Sequence, residues 1–127
     1  MRRGQTLVIL LVFMMVAITV ITTSVLLAIS SSQSSGRAVF TWQAYDIAES
    51  GLNNALMNLL RNPNFTTPPA GETLTVGDGI ATISITGAGG NDVIVSSGRI
   101  GGYVRTVRAE TSYNGSLVVT SWREIYP

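Results

Sequence analysis

The chain has 127 residues and a formal net charge of +1, from eight basic residues, all arginine, against seven acidic residues. It contains no histidine, cysteine or lysine, which excludes a disulfide framework and leaves the abundant serines and threonines without a histidine or lysine base. From Ser30 onward there are six arginines and seven acids, so this part carries a charge of −1. We therefore expect a non-enzymatic protein with no nucleic-acid surface, no metal site and no cofactor.

Residues 7–29 form an apolar run without charge or proline. At about 1.5 Å per residue, a helix of this length is about 35 Å long and can cross a bilayer. Its threonine and serine hydroxyls can bond back to the preceding turn. Arg2 and Arg3 precede the run, and no basic residue follows it until Arg37. The positive-inside rule thus predicts a single pass through the cytoplasmic membrane, with the N-terminus in the cytoplasm and the remainder exported.

Three interpretations of this stretch remain open. The first is a signal anchor that holds an exported domain. The second is a cleaved secretory signal, because residues 28–30 approximate a small-x-small site, although the apolar run exceeds the usual 7–15 residues. The third is a membrane helix that continues into a second helix and is preceded by a short charged leader that ends in Gly4.

Residues 2–7, Arg-Arg-Gly-Gln-Thr-Leu, followed by the apolar run, resemble the N-terminus of type IV pilin-like proteins. That class includes minor pilins and type II secretion pseudopilins. Residues 45–52, Tyr-Asp-Ile-Ala-Glu-Ser-Gly-Leu, are similar to the Ala-Glu-Ala/Ser-Gly segment of tip-type minor pilins. The resemblance implies that a prepilin peptidase cuts between Gly4 and Gln5 and methylates the new terminus. Major pilins carry a glutamate where this chain has Ile9, which favours a minor or tip subunit.

The resemblance also implies partners: other pilin-like subunits, the prepilin peptidase, the inner-membrane assembly platform and membrane lipid. The processed subunit would join an envelope-spanning or surface filament of a pilus or secretion system, and the sequence leaves the machine open. Small residues permit close approach between membrane helices. The residues expected to mediate helix assembly are Leu7, Ile9, Leu10, Phe13, Ala17, Ser24 and Ala28. The alternative function is a signal-anchored protein whose β domain binds another envelope component.

Residues 30–36 are rich in serine and end in Gly36. Their composition is typical of a linker, but serine and glycine cost a helix only about 1 kcal/mol or less each, so a continuous or kinked helix is preferred. Residues 37–60 carry an apolar stripe at helical spacing. A second stripe (Phe40, Ala44, Ile47 and Gly51) either widens the core contact or faces another subunit. The predicted helix-to-sheet core is Trp42, Tyr45, Leu52, Leu56 and Leu59.

After Pro63 the period changes to two, which is typical of strands. Strands are expected over 73–76, 81–86, 93–97, 103–111 and 117–125, with a wide glycine-rich loop over 87–92 and a break over 98–102. The predicted fold is α+β, with a long N-terminal helix packed on a four- to five-stranded antiparallel meander. The predicted segments are a leader (1–4), a transmembrane helix (5–29), its continuation (30–62) and a β domain (63–127).

Overall fold

The architecture is one long helix followed by five strands, in a computed structural model that describes residues 2–126. Helix α1 spans Arg2–Arg61. The strands are β1 (Glu72–Val76), β2 (Gly79–Ala88), β3 (Asn91–Ile100), β4 (Tyr103–Tyr113) and β5 (Leu117–Ile125). All neighbouring strands pair antiparallel in the order β1-β2-β3-β4-β5. The predicted α+β fold, a helix on an antiparallel meander, is confirmed.

The chain divides into two compact units, Met1–Ala38 and Val39–Pro127. In the first unit the described residues are helical throughout, and this includes the serine-rich residues 30–36. The hydroxyl of Ser35 donates a hydrogen bond to the carbonyl oxygen of Ser31 at 3.0 Å, an arrangement that keeps a serine compatible with a helix. The preferred alternative for this segment, helix rather than linker, agrees with the structure.

The second unit contains the sheet, and its turns are tighter than the sequence pattern predicted. β2 runs to Ala88 and pairs there with Asn91, the first residue of β3. Gly89 and Gly90 join them with φ angles of +66° and +84°, the mirror-image turn that suits the twist of a hairpin. The prediction of a wide loop over 87–92 is therefore wrong. The predicted break over 98–102 is also wrong, since β3 continues to Ile100 and only two residues separate it from β4.

The core of this unit lies between the second half of α1 and one face of the sheet. Leu52 and Leu59, both predicted core residues, are fully buried. Tyr45 and Leu56 are partly buried and pack against the core. In β2 and β3, buried and more exposed positions alternate, as expected for a sheet covered on one face. The buried helix residues are Ala44, Ile47, Ala48, Gly51, Leu52, Ala55 and Leu59.

Trp42 is the exception among the predicted core residues, because it is 69% exposed. Each helical residue advances the side chain by about 100°, so Trp42 lies about 200° of rotation from buried Ala44 and on the opposite side. Its ring meets Tyr45 edge-on at 6.5 Å. The second stripe contributes to the core instead, since Ala44, Ile47 and Gly51 are buried in this unit. Of the two alternatives for that stripe, the wider core contact is the one observed.

Candidate functional site

The residues predicted for processing lie in the first turns of α1 and are exposed. Arg2, Arg3, Gly4 and Gln5 are all helical, and the hydroxyl of Thr6 donates to the carbonyl oxygen of Arg2 at 2.9 Å. A Cβ atom at Gly4 would meet no other atom within 4 Å. Glycine weakens a helix by about 1 kcal/mol relative to alanine. Position 4 is therefore exposed, and its glycine lowers the helix propensity of the turn.

The residues predicted for helix assembly present an unburied apolar surface. Phe13 is 71% exposed, and the most apolar 18-residue window of α1 has none of its residues buried. By length and composition this helix can cross a membrane. An apolar surface of this extent is unfavourable in water. Leu7, Ile9, Leu10, Phe13, Ser24 and Ala28 are exposed, and Ala17 is half-buried.

The polar side chains within this run are satisfied by the helix itself. The hydroxyls of Thr19, Thr22, Thr23 and Ser24 donate to carbonyl oxygens three or four residues back, at 2.8–2.9 Å. The predicted back-bonding is confirmed. Because each of these four hydroxyl groups already donates its hydrogen within the helix, they can enter hydrocarbon or an apolar helix contact at little cost.

Sequence reasoning missed close contacts between helix and sheet that involve Gly51 and Gly98. A Cβ atom at Gly98 would overlap the carbonyl oxygen of Ala44 and the backbone nitrogen of Ala48. One at Gly51 would lie 2.5 Å from Ser96 Oγ and 2.8 Å from the Ala81 Cβ. The signal was present in β3, where positions 92, 94, 96 and 98 alternate and all face the core. Small residues on both surfaces therefore let α1 approach the sheet backbone.

Asp92 is an acid in the core-facing row of β3, at the end that follows the Gly89–Gly90 turn. It is 2% exposed, and neither carboxyl oxygen makes a hydrogen bond of normal geometry within the described part of the chain. Its backbone N–H donates to the Thr111 hydroxyl at 3.2 Å, and that hydroxyl donates to the carbonyl oxygen of Gly90 at 2.9 Å. Burial raises the pKa of the Asp92 carboxyl, and the backbone of Gly90 offsets part of the rise.

Asp92→Asn should stabilise the protein near neutral pH and leave its stability in acid almost unchanged. Because the folded pKa lies above the ordinary value of 3.8, the wild type keeps its full stability below that value and loses some as pH rises through the folded pKa. The neutral amide does not titrate, so the two melting temperatures should separate as pH rises from 4 to 7. Thermal unfolding of the full chain in detergent measures the difference. Asp78→Asn, at an exposed turn, is the control, and a constant offset at every pH would contradict the explanation.

The remaining chemistry of the site is limited. Within residues 2–126, no three histidine, cysteine or acidic side chains are grouped closely enough to hold a metal ion. Comparison of the chain with known protein families, with characterised proteins and with solved structures finds no match. The described features are thus an exposed apolar first half of α1, an exposed glycine at position 4 and a second half of α1 that packs on the sheet.

Proposed function

We propose that this chain is a non-enzymatic pilin-like subunit, a minor pilin or pseudopilin, that is cut after Gly4 and assembled through its apolar helix into a filament of a pilus or secretion system. One observation carries the proposal: a single helix, α1, has an unburied apolar first half and a second half that packs on an antiparallel sheet. Such a chain needs an apolar environment for its first half, and its sheet-bearing half forms its own core.

Assembly would transfer the helix from lipid to a bundle of neighbouring helices. Both environments are apolar, so the hydrophobic effect is nearly balanced and close packing decides the outcome. Ala17, Ser24 and Ala28 have small side chains that permit close approach, and the Ser24 hydroxyl is already bonded to its own helix. Ile9 stands where a bulk filament subunit would place a glutamate. The chain therefore suits a position where that contact is dispensable, such as a filament end.

A second function, a signal-anchored protein whose β domain binds another envelope component, is favoured by a different observation. The outer face of the helix in the second unit keeps Trp42, Met57 and Leu60 more than half exposed. Exposed apolar residues on a folded domain are typical of a binding surface. In this alternative the membrane helix only anchors the protein, and the bond after Gly4 is never cut.

Replacement of residues 7–29 by leucine separates the two functions. The variant keeps the length and apolarity that anchoring needs, so it should remain in the membrane fraction. It loses the small residues that fit neighbouring helices, so it should be absent from filaments sheared from cells. Immunoblots of the membrane and sheared fractions measure both properties.

The matched control retains Ala17, Thr19, Ser24 and Ala28 within the same polyleucine helix. We expect this variant to regain most of the filament signal, because it restores the small side chains without a change in length. Equal incorporation of the full polyleucine variant and the wild type would show that helix packing does not direct assembly. A wild-type chain that never enters the sheared fraction would favour the anchored binding protein.

A further inference from the structure

Charge is divided between the two edges of the sheet. β1 and β5 are the edge strands. The β1–β2 hairpin contains two acids, Glu72 and Asp78, and no basic residue. The β4–β5 hairpin contains three arginines and two glutamates: Arg105, Arg108, Arg123, Glu110 and Glu124. One edge of the sheet is therefore acidic and the other is basic.

The acidic edge contains a shallow hollow of about 280 Å³ beside the helix. The exposed residues Asp46 on α1 and Asp78 in the β1–β2 turn both line it, together with Gln43, Ser50 and Val76. Neither carboxylate forms an ion pair with another residue in the range 2–126. A guanidinium group presents several N–H donors in one plane and suits a site with two carboxylates.

The basic edge offers an arginine, Arg123, that forms no ion pair within residues 2–126. Arg105 pairs with Glu124 at 2.6 Å, and Arg108 pairs with Glu110 at 2.9 Å. Arg123 is exposed, forms no ion pair among the described residues and lies directly opposite Arg108 across β4 and β5. Like charges at opposed positions destabilise a strand pair. Elsewhere on β5, Val118 is 53% and Trp122 38% exposed, so the strand also carries exposed apolar area.

We propose that the β5 edge of one copy of this chain docks on the β1 edge of a second copy, with Arg123 placed between Asp46 and Asp78. The partner is a second copy of this chain, because the acidic edge and the basic edge that would face each other are both present on it. The two surfaces differ, so the contact is heterologous and joins two neighbouring copies side by side. This contact deepens the proposed function and rests on it, since a common filament is what would align the copies side by side.

Charge exchange tests the pairing on the full-length chain. Two differently tagged copies are co-expressed in the same membranes, one is captured, and the amount of the other is measured. Arg123→Glu or Asp78→Arg in both copies should each lower co-capture by about tenfold or more, because each places like charges at the contact. Both changes in the same chain restore opposite charges and should recover most of it. Arg61→Glu, an equal charge change at the end of α1, should have little effect.

Cysteine cross-linking distinguishes this contact from others, because the chain has no cysteine of its own. Cells that contain one copy with Asp78→Cys and another with Arg123→Cys should form a disulfide-linked pair, whereas either copy alone should not. Dimers from Arg123→Cys alone would show a symmetric β5–β5 contact and overturn the proposal. So would the absence of the mixed pair, or a double charge variant that stays as weak as the single ones.

The proposed contact and the proposed function fail in different ways. The edge variants leave residues 1–29 unchanged, so cleavage after Gly4 can be measured in the same samples. A cleaved subunit without the mixed cross-link would support the filament function and contradict the edge contact. An uncleaved chain with the mixed cross-link would support the edge contact and contradict the filament function.

Discussion

Gly98→Ala should destabilise the folded β-bearing unit by about 3 kcal/mol or more, although it adds a single methyl group. The new Cβ would overlap the backbone of Ala44 and Ala48. These atoms belong to the α1 backbone and cannot turn aside as a flexible side chain can. To accept the methyl group, the helix must move away from the sheet and lose close packing with its core. The loss of stability is measured by urea or thermal unfolding of the full chain in detergent, with the fluorescence of Trp42 and Trp122 as the probe.

Gly102→Ala is the matched control for this substitution. It lies in the β3–β4 turn, where a Cβ atom would meet nothing within 4 Å, and its φ is not positive. Alanine also restricts the unfolded chain, so this variant should change stability by about 1 kcal/mol or less, in either direction. Equal effects at positions 98 and 102 would contradict the close helix–sheet approach.

Gly4→Leu should abolish maturation while membrane insertion continues. The substitution places a large side chain beside the bond that the peptidase is proposed to cut, and it changes neither the arginines nor the apolar run that set topology. The expected result is a membrane-bound chain that retains residues 1–4 and is absent from sheared filaments. Mass spectrometry of the purified chain measures the first effect, and immunoblots of sheared material measure the second.

Gly36→Leu is the control for that substitution. Both glycines are helical residues of α1, and a Cβ atom at either would meet nothing within 4 Å. The structure thus gives no packing reason for one to matter more than the other. If Gly4→Leu is processed as fast as Gly36→Leu, the bond after Gly4 is not the processing point.

The fold could be predicted because its periodic signals are long. The change from an uninterrupted apolar run to helical spacing and then to alternation predicted α1 and all five strands. The ends of the strands are harder to predict, because two consecutive glycines are typical both of a loop and of a two-residue turn. Only the positive φ angles of Gly89 and Gly90 distinguish these.

The helix–sheet contact could be predicted only in part, because apolar size is a poor guide to close packing. Large aliphatic residues belong in a core, which predicts the burial of Leu52 and Leu59 that the structure shows. Trp42 is a large apolar residue on the predicted stripe and is nevertheless exposed, whereas Gly51 and Gly98 lie where helix and sheet approach closely. Asp92 was assigned to a loop, and its burial became evident only once the register of β3 was known.

The measurement that tests the account most directly is the N-terminal residue of the protein in native membranes, determined by mass spectrometry. We expect a chain that begins at a methylated Gln5. An intact Met1 would contradict processing and leave a membrane-anchored protein with a β domain. A chain that begins near Ser31 would contradict membrane anchoring as well, and would make the protein a secreted domain.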